Sequence, residues 1–289
     1  MKNLRLFTRR IVLFGYNIPV RKLLKYAFVG FYFSAITPSS TGGQPMQMYF
    51  MKKDGISVSH SSLGLLIMLM MFQIVSIVYG ILMFVLRPSL IIDGINGMHL
   101  VMMYGIIANL IITGTILGAV FSRNAMRRFV CWGIGLGAKL RLVKNPEKAI
   151  AQAGESLDNF RTGARYIKAH PILLLKVLCT STLQITAQFA VPYFVYLALG
   201  LSGHGIIDVL AIQSWLMISV SSLPLPGAVG AAESCFMKLS YSLFGDAIPA
   251  AMLLSRGISF YFYLIVGGIV SSVSYFRSAA RGSEIKELS

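Results

Sequence analysis

Thr37-Pro38-Ser39-Ser40-Thr41-Gly42-Gly43-Gln44-Pro45 interrupts one apolar stretch, and Pro224-Leu225-Pro226-Gly227-Ala228-Val229-Gly230-Ala231-Ala232-Glu233 interrupts another. Both contain Pro-x3-Gly, and at both the apolar sequence stops and then restarts. Lipid cannot hydrogen-bond an irregular backbone, so such breaks survive at membrane depth only when buried in protein or lining a polar cavity. Interrupted segments in matching positions of two halves are the usual mark of a transporter's substrate site.

The surrounding chain reads as membrane-embedded. It has 289 residues, 56% of them hydrophobic and 12% charged, with a mean hydropathy of +0.71. A soluble domain carries roughly twice that charged fraction. Cys131, Cys179 and Cys235 form no CxxC pair, and His60, His99, His170 and His204 are scattered, so neither a disulfide framework nor a metal site is expected. The formal net charge is +16, with seven basic residues in the first 25 positions and ten between Arg123 and Lys168. Runs of this kind beside spans follow the positive-inside pattern and match anionic lipid headgroups rather than nucleic acid. Ile11–Val20, broken by Asn17 and Pro19, does not read as a signal peptide.

Four segments reach the roughly 20 residues needed to cross a hydrocarbon core: 63–86, 98–121, 172–199 and 247–273. Gly80, Gly105, Gly114, Gly118, Gly267 and Gly268 predict close helix contacts within them, and Pro192 predicts a kink. The distribution of Lys and Arg puts residues 1–25, the 123–170 connection and the tail with Arg277, Arg281 and Lys286 on the cytoplasmic side. Arg87–Gly97 and Ser202–Gly205 then lie outside. Counting crossings, 26–53 enters and leaves on the cytoplasmic face, and 206–245 enters and leaves on the outer face. Tyr26–Ile36 and Pro45–Lys53 are each about 14–16 Å as helix, close to half the core. Ala231–Phe244 is about 20 Å, whereas Ile207–Leu223, at about 25 Å, could nearly cross. The expected fold is an all-α polytopic bundle with two re-entrant hairpins in an inverted repeat, forming a single membrane domain. Hairpin two follows two spans and hairpin one follows none, so two N-terminal spans are expected to be missing. In the 123–170 connection, Asn145-Pro146-Glu147 predicts a helix start. Ile150, Ala153, Leu157, Phe160, Ala164 and Ile167 give that helix one apolar stripe, fit either to pack under the bundle or to regulate it.

The chemistry is expected at the two helix restarts. A half-helix N-terminus directs free N–H groups and a positive dipole end inward, and two that converge suit an anionic group such as a lipid phosphate. Around the first restart the candidates are Pro38, Ser39, Ser40, Thr41, Gly42, Gly43, Gln44 and Gln47. Around the second they are Pro226, Gly227, Gly230 and Glu233, with Arg256 from the last span. Charges within a membrane usually pair or serve a pathway. Glu233 is favoured by the dipole and is expected either to pair with Arg256 or to leave it for substrate phosphate. Lys176 and Lys238 are expected to snorkel. Gln184, Gln188 and Gln213 suit either interhelical hydrogen bonding or a cavity wall. No GxSxG, HExxH or Walker A sequence is present, and no catalytic residue or cofactor is expected.

The first break followed by Lys52-Lys53-Asp54-Gly55, and Pro226 through Glu233 followed by Arg256, resemble the lysylphosphatidylglycerol synthase transmembrane family, from about Arg9 to Phe276. This is the flippase-like membrane region of bacterial aminoacyl-phosphatidylglycerol synthases. The resemblance implies a bacterial inner-membrane protein, termini cytoplasmic, that handles phospholipids. It implies outward movement of lysyl-phosphatidylglycerol and resistance to cationic antimicrobial peptides. It also implies a separate synthase or a second copy of the chain as partner, because the cytosolic lysyl-transferring domain of full-length members has no counterpart here. The alternative it carries is a phosphatidylglycerol lysyltransferase or its membrane subunit. Many members carry Glu and Arg where this chain carries Gln44 and Gln47.

Overall fold

The computed structural model describes residues 10–13, 16–95, 98–121 and 171–287. The 123–170 connection, with the helix expected after Asn145, lies outside the described residues, as do the surroundings of Gly118 and the side chains of Arg277, Arg281 and Lys286. The chain is an all-α polytopic membrane protein, preceded by one short antiparallel ribbon in which β1 (Arg10–Leu13) pairs with β2 (Tyr16–Pro19).

The first helical hairpin is α1 (Val20–Ile36), a tight turn at Pro38–Ser40, and α2 (Gly43–Lys53). Then come α3 (Val58–Leu86), α4 (Pro88–Ile95), α5 (His99–Phe121) and α6 (Pro171–Ala198). The second hairpin is α7 (Ile206–Val220), a tight turn at Pro226–Ala228, and α8 (Ala231–Leu239), followed by the short α9 (Tyr241–Phe244). The last stretch is α10 (Ile248–Arg256), a π-helical segment Gly257–Tyr261, and α11 (Phe262–Glu287). Among the described residues, three helical stretches are long and apolar enough to span a membrane, or four if α4 and His99–Thr115, bent by 115°, count as one.

The centre of the bundle is α7, which packs against α3, α5, α6 and α8. Val209, Ala211 and Ile212 on it are fully buried. A Cβ at Gly80 would lie 2.4 Å from the Ile218 side chain, and one at Gly105 would lie 2.4 Å from the Ile218 carbonyl, so both expected close contacts are with α7. Gly267 and Gly268 likewise bring α11 against Tyr32 of α1. At Gly114 a Cβ would meet nothing within 4 Å among the described residues. α6 runs through Pro192 as continuous helix.

Two departures from the expected limits have local causes. Residues 87–97 were expected only as the outside hairpin between two spans; within them Pro88 at a helix start and the fully buried Ile91 make α4, which packs on α7. The first limb of hairpin two is shorter than expected. α7 has 15 residues, about 22 Å, and stops at Val220, where Asn109 Nδ2 donates to the Ile218 carbonyl at 3.0 Å.

α3 orients the two hairpins. Its 29 residues make it about 43 Å long. At its start the Ser57 hydroxyl accepts from His60 N at 3.3 Å, and Ser57 N donates to Tyr16 Oη at 3.3 Å. Beside that end Asp54, between α2 and α3, accepts from Lys25 Nζ and Tyr26 Oη, each at 2.6 Å, with Lys22 Nζ at 3.1 Å. At its far end Arg87 Nε is bonded to Asp208 Oδ1 in the first turn of α7. The base of hairpin one therefore lies at one end of the bundle and the base of hairpin two at the other. Their turns, Pro38–Ser40 and Pro226–Ala228, pack against each other between them.

Candidate functional site

The two turns are conformational twins. Thr37 (φ −109°, ψ 145°) and Leu225 (φ −110°, ψ 140°) lead into a proline in each. The next residues are left-handed: Ser39 (φ 51°, ψ 26°) matches Gly227 (φ 58°, ψ 13°), and Ser40 (φ 55°) matches Ala228 (φ 50°). The hydrogen bonds also correspond. Ser40 N donates to the Thr37 carbonyl and Ala228 N to that of Leu225, at 3.2 and 3.1 Å. Thr41 N donates to the Pro38 carbonyl and Val229 N to that of Pro226, at 3.2 and 3.1 Å. Left-handed Ser and Ala are strained, and such strain persists only where the surroundings over-determine it.

After the fourth residue the turns diverge. Thr41 is already helical, and Gly42 N is held by Thr37 Oγ1 at 2.8 Å as α2 begins. Val229 is extended and Gly230 takes φ 84°, so α8 begins after a sharper bend. There Glu233 Oε2 accepts from Gly230 N at 2.6 Å. That carboxylate meets the positive end of the α8 dipole, as expected. No acid occupies the first turn of α2, so its N-terminal N–H groups keep their positive character.

The other oxygen of Glu233 receives Arg256 Nε at 2.7 Å, and Tyr261 Oη stands 3.5 Å from it. Arg256 also reaches the Gly227 carbonyl with Nη2 at 3.5 Å, and its guanidinium lies 4.2 Å over the Phe260 ring. Both side chains are largely buried, 16% exposed for Arg256 and 15% for Glu233. Arg256 is the last residue before the π-helical segment. The wider turn there brings Phe260 and Tyr261 to the same spot, and π segments are frequent at functional sites. A Cβ on Gly227 would sit 2.5 Å from Phe260 and 3.0 Å from the Ala35 carbonyl. Turn, helix start and ion pair thus lock together.

A cavity of about 90 Å³ adjoins the pair. It is walled by Gln188 and Phe189 of α6, Gln213 of α7, and Ser255, Arg256 and Ser259 of the last stretch. Gln213 Nε2 and Ser255 Oγ are buried without a hydrogen-bond partner. Of the three glutamines singled out from sequence, Gln188 and Gln213 line this cavity and Gln184 does not; Gln184 and Gln188 are both exposed, and Gln213 is buried. Lys176 and Lys238 are exposed.

Pro226, Gly227, Gly230, Glu233 and Arg256 are therefore brought together, with the Pro38–Ser40 turn packed on the Pro226–Ala228 turn. Pro38, Ser39, Ser40 and Thr41 are exposed, Gln44 is half-buried and Gly43 is buried. Gln47 points toward the base of hairpin one, where its Nε2 donates to the Tyr26 carbonyl at 3.0 Å over Gly30. Sequence reasoning missed Asn109. It is 5% exposed and donates to Gly105 O, Ile218 O and Ser221 Oγ, while Gln73 Nε2 donates to its side-chain oxygen. Its signal was available, since a lone amide within the apolar 98–121 segment requires a partner.

A family model described as the lysylphosphatidylglycerol synthase TM region matches residues 3–267. No curated protein and no solved structure matches the chain.

Proposed function

We propose, from the premise that this chain belongs to the lysylphosphatidylglycerol synthase TM region family, that it is a flippase-like lipid carrier. It binds an anionic or aminoacylated phospholipid, such as lysyl-phosphatidylglycerol, where its two hairpins meet, and it moves that lipid between leaflets. In a bacterial inner membrane, with both termini cytoplasmic as the Lys and Arg distribution implies, this contributes to resistance to cationic antimicrobial peptides. The supporting observation is the pair of twin turns packed tip to tip, with the Glu233–Arg256 pair beside them.

The chemistry follows from charge and access. Hairpins that re-enter from opposite faces place helix starts and irregular backbone near the midplane, where a headgroup must pass. The free N–H groups of α2 and the remaining donors of Arg256 attract phosphate. Glu233 holds Arg256 in place and tempers its charge, so phosphate is bound without being trapped. A separate synthase or a second copy of the chain completes the system in the cell.

Reconstituted protein is expected to expose labelled phosphatidylglycerol or lysyl-phosphatidylglycerol in the opposite leaflet of vesicles, and Glu233→Gln at equal incorporation to slow this about tenfold or more. Unchanged rates would remove Glu233 from the mechanism. The family name favours one rival, lysyl transfer to phosphatidylglycerol. Expression in cells lacking any lysylphosphatidylglycerol synthase, followed by lipid mass spectrometry, separates the two, because new lysyl-phosphatidylglycerol would make the chain a synthase.

A further inference from the structure

The last stretch of chain changes partners at its π-helical segment. Before it, α10 packs on α6 and α8, in the part of the bundle built around α7. After it, α11 packs chiefly on α1 of hairpin one. A Cβ on Gly267 would lie 2.9 Å from the Phe28 carbonyl, and one on Gly268 would lie 3.1 Å from the Tyr32 ring. Tyr263 stacks on Phe28 with centroids 6.2 Å apart and meets Phe31 at 5.8 Å. Hairpin one and α11 therefore form one unit. It meets the rest through α2 on α3, through the paired turns, and through Phe31 edge-on to Phe260 at 5.9 Å. Within the described residues the chain passes between the two units at two places, after Lys53 and through Gly257–Tyr261.

Both passages have a backbone suited to bending. In the first, Gly55 takes φ 89°. In the second, Phe262 N donates to the Gly257 carbonyl five residues back, and Gly257 N is shared between the Leu253 and Leu254 carbonyls. A π turn holds one residue more than an α turn. Absorbing or passing on that residue rotates the helix beyond it by about 100° and shifts it by about 1.5 Å. The Ser259 hydroxyl also donates to the Ser255 carbonyl at 2.6 Å, a contact that often bends helices. Gly257 has helical angles, φ −54° and ψ −49°, and a Cβ there would meet nothing within 4 Å among the described residues. Neither conformation nor packing requires glycine here, and glycine weakens a helix relative to alanine. What the position gains is backbone freedom.

We infer, granting the transport reading above, that Gly257–Tyr261 is a hinge. On it hairpin one and α11 swing against the rest of the bundle, opening the space between the two turns to one leaflet and then to the other. Arg256, the residue before the hinge, is held by Glu233, and Phe260 within the hinge lies against its guanidinium. A headgroup that draws on Arg256 thus acts on the first turn of the hinge.

Spin-label distances in phosphatidylglycerol nanodiscs test the motion without reference to transport. With Cys131, Cys179 and Cys235 replaced, Leu253→Cys and Ile269→Cys form a pair across the segment. Leu24→Cys and Ile269→Cys form a pair within the swinging unit, and all three positions are exposed. The first pair is expected to give two distances and the second pair one. Gly257→Ala should reduce the first pair to one distance, raise the melting temperature by about 2 °C and slow flipping in vesicles about fivefold. Gly114→Ala, at an equally open glycine of α5, should raise the melting temperature alike and leave flipping unchanged. A single distance across the segment in the wild type overturns the hinge, whatever the flipping rate. So does a Gly257→Ala chain that keeps both distances, or Gly114→Ala slowing flipping as much as Gly257→Ala. Two distances that Gly257→Ala merges, in a chain that moves no lipid, would uphold the hinge and overturn the transport reading.

Discussion

Ser39 and Gly227 occupy equivalent left-handed positions, φ 51° and 58°, with opposite consequences for substitution. Ser39 is exposed and strained, so Ser39→Gly relieves the strain and should stabilise by up to about 1 kcal/mol. Gly227→Ala keeps the unfavourable angle and drives a Cβ into Phe260 and the Ala35 carbonyl, which should cost about 1–3 kcal/mol. Thermal unfolding in detergent should therefore move up for the first and down for the second, and shifts of the same sign would refute the equivalence of the turns. Glu233→Gln leaves the largely buried Arg256 without its carboxylate and should cost about 1–3 kcal/mol. Because the loss arises from the orphaned charge, adding Arg256→Gln should restore part of it, and a double-mutant cycle with no coupling would contradict the bond seen here. The place of Glu233 at the start of α8 was legible as an acid just after a Gly/Pro break, favoured by the helix dipole. That Gln47 serves the backbone of α1 was not, because only the packing of α1 on α2 brings Tyr26 beside it.

Hairpin one is closed at its base by Asp54, a residue shared by both limbs. Burial by itself would raise the Asp54 carboxyl, but hydrogen bonds from Lys25, Tyr26 and Lys22, with the Lys25 charge, outweigh it and hold the group below the usual carboxylate range. A depressed folded value means that the stabilisation is fully present above the ordinary aspartate range and is lost as pH falls through the lowered value. The difference in melting temperature between the wild type and Asp54→Asn should thus be constant from neutral pH to about pH 5 and shrink below it. A difference that grew on acidification would reverse the sign of this clamp. The elements themselves were legible in unequal measure. Gly and Pro mark the ends of the limbs because their backbone demands are local. The bond that meets the end of α7 was not legible, since Asn109 reaches the Ile218 carbonyl across 109 positions of chain.

For the whole molecule, the bases of the hairpins lie at opposite ends of α3. With Cys131, Cys179 and Cys235 replaced, single cysteines at Ser57 and Arg87 should react with a membrane-impermeant thiol reagent from opposite sides, Ser57→Cys only after the cytoplasmic face is opened. Labelling of both from one side would rule out hairpins that enter from opposite faces. The sequence by itself determined the membrane setting, the main apolar spans, both breaks and the family, because hydropathy over about 20 residues and the constraints of Gly and Pro act within one segment. Only the tertiary structure decided that the breaks are twins in contact, that Glu233 takes Arg256 rather than leaving it alone, and that Gln213 and Ser255 face a cavity while Gln184 does not. Those facts depend on the rotation and depth of each helix, which packing of side chains between elements sets and no single segment encodes.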